Sequence, residues 1–323
     1  MAKEKNIATN EFVKQNEVFA DIVNYAIYDG KQIVKAADLT EKSVTENLLW
    51  NENEKIIGKE MARDVLKSCV IKQDAQVTYV IIGIENQTEI NTVMPVRNLL
   101  YDTLSYARQI KEISVHNKKK KRVKTSGEFL SGFCQDDKLV PVITITVCYD
   151  PQTWYGAKTL KEMLYEVDPC IMKYVPDYKI CLISPSQIYD YDKFRTDFGT
   201  VMKFMAASKD KVLLQQLFMT DREKLANLGV RASEALNVLL NLNVRINEGG
   251  YDMLCKGMED WLKDEREEGK AEGMTEGRKE GRKEGTSLLA QAIRYVRSGD
   301  DTLEKLEEKG IPEAIAKTAL ELG

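Results

Sequence analysis

Two carboxylates are set apart by their spacing. Arg63 to Ile71 (Arg-Asp-Val-Leu-Lys-Ser-Cys-Val-Ile) and Val77 to Glu85 (Val-Thr-Tyr-Val-Ile-Ile-Gly-Ile-Glu) both read as strands, the second apolar enough to be buried on both faces. The polar stretch Lys72-Gln73-Asp74-Ala75-Gln76 between them predicts an antiparallel hairpin. The midpoint between Asp64 and Glu85 falls inside that turn, so the two acids are expected to face each other across the strands, about 5 Å apart at Cβ. Carboxylates that close repel unless a positive charge lies between them. A divalent cation meets that need, and so does a lysine or arginine at the sheet end; spacing alone leaves both open. Glu85 also ends a nearly continuous apolar strand, where a charge without a partner is costly. Gln87 alternates with Glu85 and is expected on the same side of the strand.

The rest of the composition narrows the chemistry. His116 is the single histidine of the 323 residues, and a lysine run follows it at once, which disfavours Ser-His-Asp, Cys-His and HNH-type catalysis. Carboxylates must then do the work, and their preferred metals are hard, oxygen-ligated ions such as Mg2+ or Mn2+. Six scattered cysteines without a CxxC pair argue against a zinc ribbon or a disulfide framework. No apolar run is long enough for a membrane span, and the N-terminus lacks the apolar core of a secretion signal, so a cytoplasmic protein without membrane contact is expected. The net charge is −4, so any nucleic-acid surface must be local. Lys118, Lys119, Lys120, Lys121 and Arg122, with Lys124, form the one dense basic cluster, read as part of a polar loop over 117–127 that could reach a substrate lying over the sheet end.

Around the hairpin, apolar positions 12, 19, 22, 23 and 26 predict a helix over 11–28, ended by Asp29-Gly30. Residues 31–57 give no clear pattern. Asn91 or Thr92 can cap a helix with Pro95 in its first turn and Val96 to Ile110 along one face. Leu139 to Tyr149 and Tyr178 to Ile183 read as further strands, and 201–218 and 231–246 as helices. Glu-Gly recurs every four residues over 265–285; each interior glycine costs a helix about 1 kcal/mol, so this is a helix or a linker. Short helices are expected over 288–296, 301–309 and 312–320. The order predicts a mixed α/β domain with a mostly helical C-terminal region.

The element Arg63-Asp64-Val65-Leu66-Lys67, a hairpin, then Ile84-Glu85-Asn86-Gln87-Thr88-Glu89 resembles PD-(D/E)XK nucleases, and more narrowly the Rpn family of recombination-promoting nucleases, also described as transposases. The resemblance spans about 12–205, and the Glu-Gly repeat with a helical tail is similar to that family as well. It implies a restriction-endonuclease-like core, a mixed central sheet flanked by helices, over 1–205, followed by a helical extension (206–262), the Glu-Gly helix or linker (263–286) and a small helical tail (287–323). It implies that Asp64 and Glu85 are metal ligands and that Gln87 stands where the wider superfamily has a lysine. Gln87 can orient a water but carries no charge; Arg97 and Lys67 are candidates for the missing cation. The first helix of such nucleases often adds an acid, for which Asp21 is the candidate and Glu17 the reserve, and Tyr106 and Gln109 are candidates to face the site from the second helix.

The resulting expectation is a Mg2+-dependent endodeoxyribonuclease acting on DNA in recombination or mobile-element biology, with the C-terminal helices as a candidate for homo-oligomerisation. A degenerate nuclease fold that only binds nucleic acid or a protein is the non-enzymatic alternative. A DDE-type transposase is a third reading, disfavoured because its acids lie far apart in sequence.

Overall fold

The computed structural model describes residues 2–52, 55–62, 64–73, 76–242, 250–299 and 302–322. The chain divides into two compact units, Met1–Gly257 and Met258–Gly323. The first begins with helices α1 (Ala2–Val13) and α2 (Asn16–Tyr28) and strand β1 (Leu39–Glu41). A two-stranded hairpin follows, β2 (Thr45–Glu52) with β3 (Lys55–Ala62), then β4 (Val65–Gln73) and β5 (Gln76–Gln87). Helices α3 (Met94–Lys119) and α4 (Ser126–Ser131) lead to β6 (Val142–Cys148), and α5 (Pro169–Met172) to β7 (Cys181–Ile183). Helices α6 (Phe198–Ala207), α7 (Lys211–Thr220), α8 (Arg222–Ala226) and α9 (Val230–Leu240) follow.

The main sheet has the order β1-β4-β5-β6-β7. β1, β4 and β5 are antiparallel neighbours, whereas β5, β6 and β7 run parallel, with α3 carrying the chain from β5 to β6. This is a mixed α/β architecture: a five-stranded mixed sheet flanked by helices. One face is apolar. Ile82, Ile84, Ile145 and Val147 alternate onto it and are fully buried, each worth about 1.5–3 kcal/mol of burial. The opposite face carries a polar seam under α3. Asn98 Nδ2 donates to Thr146 Oγ1 (2.8 Å), and Asp102 accepts from Thr144 Oγ1 and Tyr178 Oη (2.6 Å each). That seam fixes the axial position of α3 over β6.

Several boundaries differ from expectation for identifiable reasons. The first helix is two helices, broken at Lys14-Gln15, where Gln15 is extended. Lys67, fully buried, holds the break: its Nζ donates to Lys14 O (2.6 Å) and to Asn16 Oδ1. α3 runs to Lys119, well beyond Ile110, so the lysines at 118 and 119 are helical and not in a loop. The expected helix over 201–218 is divided where Asp210 caps α7 through the N–H groups of Val212 and Leu213 (3.0 Å each). Arg63 and positions 243–246 of the helix expected over 231–246 lie outside the described residues.

The second unit holds most of α10 (Gly250–Arg297) with α11 (Leu303–Glu308) and α12 (Glu313–Leu322). Ala292, Leu306, Ile311, Ala316 and Ala319 form its small core. The repeat glycines Gly273, Gly277, Gly281 and Gly285 lie in α10 with open space where a side chain would be. No helix of the described residues is long and apolar enough to cross a membrane.

Candidate functional site

β4 and β5 pair with Val65 opposite Ile84 and Gln73 opposite Gln76. Asp64, one residue before β4, is therefore one step beyond the last pair, level with Glu85 near the end of β5. Neither acid is bare. Asp64, half-buried, accepts from Asn10 Nδ2 of α1 (2.9 Å) and from the Asn86 backbone N–H (2.8 Å). Asn86 Nδ2 in turn donates to Asn10 Oδ1 (2.8 Å), and the buried Tyr149 hydroxyl donates to Asn86 Oδ1 (3.2 Å). Burial pushes the Asp64 carboxyl above its ordinary range, opposed by those two hydrogen bonds and by the charge of Arg97. The same burial raises the Tyr149 phenol, keeping it a donor.

Glu85 is 0% exposed, and its Oε1 pairs with the Arg97 guanidinium from the first turn of α3. Arg97 is the intermediate between acid and solvent: its side chain is 37% exposed, and its guanidinium lies 5.7 Å from the ring centroid of buried Tyr101. Burial is the largest single influence and would lower the Arg97 pKa, but the Glu85 charge, Tyr101 and the Asp64 charge together outweigh it, and the net shift is upward.

Above this layer opens a polar cleft of about 440 Å³ lined by Asn6, Asp64, Asn86, Gln87, Thr88 and Arg97, among others. Gln87 donates Nε2 to Asn86 O (2.8 Å), which leaves its amide oxygen as an acceptor. Asp64, Gln87 and Arg97 thus share one cleft, and Glu85 does not line it but lies buried in contact with Arg97. The donors are of one kind, carboxylate and amide oxygen. A hard cation such as Mg2+ takes one or two protein carboxylates and completes its shell with water, so these residues fit in type and number. Among the described residues, no group of three or more His, Cys, Asp or Glu side chains is placed to hold a metal. A cation reaching Glu85 would share that carboxylate with Arg97 or displace it.

Other candidates go elsewhere. Asp21, 2% exposed, accepts from the backbone N–H of Arg195 (2.9 and 3.0 Å) and of Thr196 (2.8 Å), and from Thr196 Oγ1 (2.7 Å). Its oxygens tie α2 to the loop entering α6, a structural task that accounts for a buried acid. Glu17 is exposed on α2. Lys67 is spent on the α1–α2 break. Tyr106 Oη accepts from Val142 N (3.0 Å), and Gln109 bridges both polar groups of Val140 (2.7 and 3.0 Å), so both secure the start of β6.

The basic cluster is also placed differently. Lys118 and Lys119 form the last turn of α3, Lys120 its C-cap, and Lys121 follows in a left-handed conformation (φ 53°). Cations there favour the negative end of the helix dipole. Lys124 is exposed beyond the turn, while its backbone N–H donates to Glu128 (2.8 Å). Arg122 is committed within the fold, bonding Asp136 (2.7 Å), Asp137 (3.0 Å) and Asn117 (2.9 Å). Arg97 and Lys119 occupy opposite ends of α3, 22 residues and so about 33 Å apart along its axis. The cluster is remote from the carboxylates and does not overhang their end of the sheet.

Asn10, Asn86 and Asn6 are site residues that sequence reasoning missed. Asn6 and Asn10 are uncharged side chains on a helix without an apolar stripe, Ala-Lys-Glu-Lys-Asn-Ile-Ala-Thr-Asn-Glu-Phe-Val, and give no signal of their own; Asn86 lies on β5. Compared with known proteins, the chain matches no family model, no curated protein and no solved structure.

Proposed function

We propose that the first unit is a PD-(D/E)XK-like nuclease that hydrolyses phosphodiester bonds in DNA with Mg2+ or Mn2+. The observation that carries this reading is the convergence of Asp64, Glu85, Gln87 and Arg97 at one sheet end, where a polar cleft is lined by Asp64, Gln87 and Arg97. A divalent cation bound by the carboxylates would polarise the phosphoryl oxygen and acidify a water. Asp64 and Glu85 would supply its oxygen ligands, and Asn10 and the Asn86 N–H hold Asp64 by hydrogen bonds. Gln87, held through its N–H by Asn86 O, offers Oε1 to the attacking water. Arg97 takes the cationic role that the superfamily gives to lysine: it reaches the cleft from a rigid helix and carries fixed positive charge to where phosphoryl charge develops.

Plasmid DNA incubated with Mg2+ or with chelator, beside an Asp64→Ala/Glu85→Ala variant, tests this. Metal-dependent nicking by the wild type that the variant lacks is expected; equal nicking by both sinks the site assignment. A second reading, a nuclease-like fold that binds without cutting, is favoured by Arg97 already standing as the cation of Glu85. It predicts DNA binding with no nicking in Mg2+ or Mn2+.

A further inference from the structure

The cations of α3 are not scattered. At about 100° per residue, Arg108, Lys111, Lys118 and Lys119 all lie within about 60° of the direction of Arg97. Arg97, Arg108 and Lys119 are spaced by 11 residues each, which places them about 16.5 Å apart along one face. Lys111, Lys118 and Lys119 are exposed and Arg108 is half-buried. At the middle of this stripe, Arg108 shares a cavity of about 260 Å³ with Lys42 and Lys138. Glu112 lines the same cavity and is the one acid of α3 on this side, since Asp102 is buried beneath the helix. A chain of net charge −4 thus concentrates positive charge along one 26-residue helix that starts at the candidate site.

We infer that this face of α3 is a duplex-DNA track. It rests on the nuclease reading for one of its ends, Arg97 in the cleft. The span from Arg97 to Lys119, about 33 Å, matches one turn of B-DNA, about 34–36 Å. A duplex lying along α3 presents the same backbone at both ends of the helix, so phosphates one turn from the cleft meet Lys118 and Lys119. Half a turn away the opposite backbone comes round to Arg108, with Lys42 and Lys138 beside it. Such contacts fix position and orientation and carry no base information. The track therefore predicts a minimum duplex length near one turn and no sequence preference from this face.

The test is fluorescence anisotropy of the full chain in chelator with random duplexes of 8 and 20 base pairs over a salt series. It compares wild type with Lys111→Ala/Lys118→Ala/Lys119→Ala and with the off-track control Lys31→Ala/Lys35→Ala/Lys173→Ala. Each lost phosphate contact removes about 0.9 from the log–log salt slope. Between 50 and 200 mM salt, the wild type should then lose about 40-fold more affinity than the track variant. The control should follow the wild type, and both should prefer the longer duplex, a preference the track variant lacks. Equal slopes for wild type and track variant overturn the track, as does binding to phosphatidylserine vesicles without binding to DNA. Plasmid nicking by the wild type, run in parallel, separates the two readings. Nicking with equal slopes keeps the nuclease and removes the track; a length step with no nicking keeps the track and removes the nuclease.

Discussion

Removing Arg97 isolates the energetic core of the site. Glu85 is 0% exposed and draws its positive partner from α3. Stripping one partner from a buried pair costs about 3–5 kcal/mol, because the other charge stays desolvated. Arg97 is 37% exposed on its solvent side, so the lower end, about 3 kcal/mol, applies. For a unit of this size 1 kcal/mol moves Tm by about 2–4 °C, so Arg97→Ala should melt about 6–12 °C below wild type by differential scanning calorimetry. Adding Glu85→Gln removes the orphaned charge and should recover most of that loss. If Glu85 is also a metal ligand, Mg2+ at 100 times its dissociation constant should restore about 2.7 kcal/mol to Arg97→Ala and nothing to the double variant. An Arg97→Ala protein that melts within about 2 °C of wild type would refute the claim that Arg97 carries the charge of Glu85. Equal Mg2+ stabilisation of the single and double variants would show that the metal binds without Glu85.

Other consequences follow from the same geometry. Because burial raises the Asp64 pKa, the native state holds that proton more tightly than the unfolded chain; the stabilisation is complete below the ordinary aspartate value of about 3.9 and is lost as pH rises through the native value. The Tm of wild type relative to Asp64→Asn should accordingly fall as pH rises above the ordinary aspartate value, and a difference that is flat with pH contradicts the shift. Asp21→Ala takes the carboxylate acceptor from the N–H groups of Arg195 and Thr196 and should cost about 1–3 kcal/mol in urea unfolding, with nicking per folded molecule unchanged; a selective loss of nicking would return Asp21 to the site. In the nicking assay Arg97→Gln should lower the rate by about 10²–10³-fold, the usual cost of removing one charge-stabilising donor, whereas Gln87→Lys should gain little because the cleft already holds a cation.

The fold was legible where periodicity of side chains and turn chemistry act together. Strand register follows from a two-residue period and the centre of a turn, so the run from Val77 to Glu85 and its partner place Asp64 level with Glu85 without any knowledge of the rest of the chain. α1 was not legible, because Lys3, Glu4, Lys5, Asn6 and Asn10 leave it no apolar stripe. The break between α1 and α2 has no local signal either: it is held by Lys67, more than 50 residues away. The far half of α3 was missed for a related reason. Beyond Ser105 its one buried residue is Asn117, and a helix that buries so little has no periodic pattern to read.

The site shows the same limit more sharply. Spacing within a hairpin could pair Asp64 with Glu85, but it could not say which cation stands beside them, because Arg97 arrives from a helix whose start is set by the chain between Gln87 and Met94. Of the two options that the sequence left open, one is seen: an arginine at the sheet end neutralises Glu85. That same arginine also lines the cleft. The unread length of α3 then decides the meaning of the lysines. With the helix ending near Ile110, Lys118 to Lys121 would have formed a loop free to fold back over the carboxylates. With the helix continuing to Lys119, they are held about one duplex turn away. A rigid helix that begins at a buried ion pair and ends in a lysine cluster converts a local basic patch into a measure of distance, and distance along a duplex is what a sequence-blind surface can read.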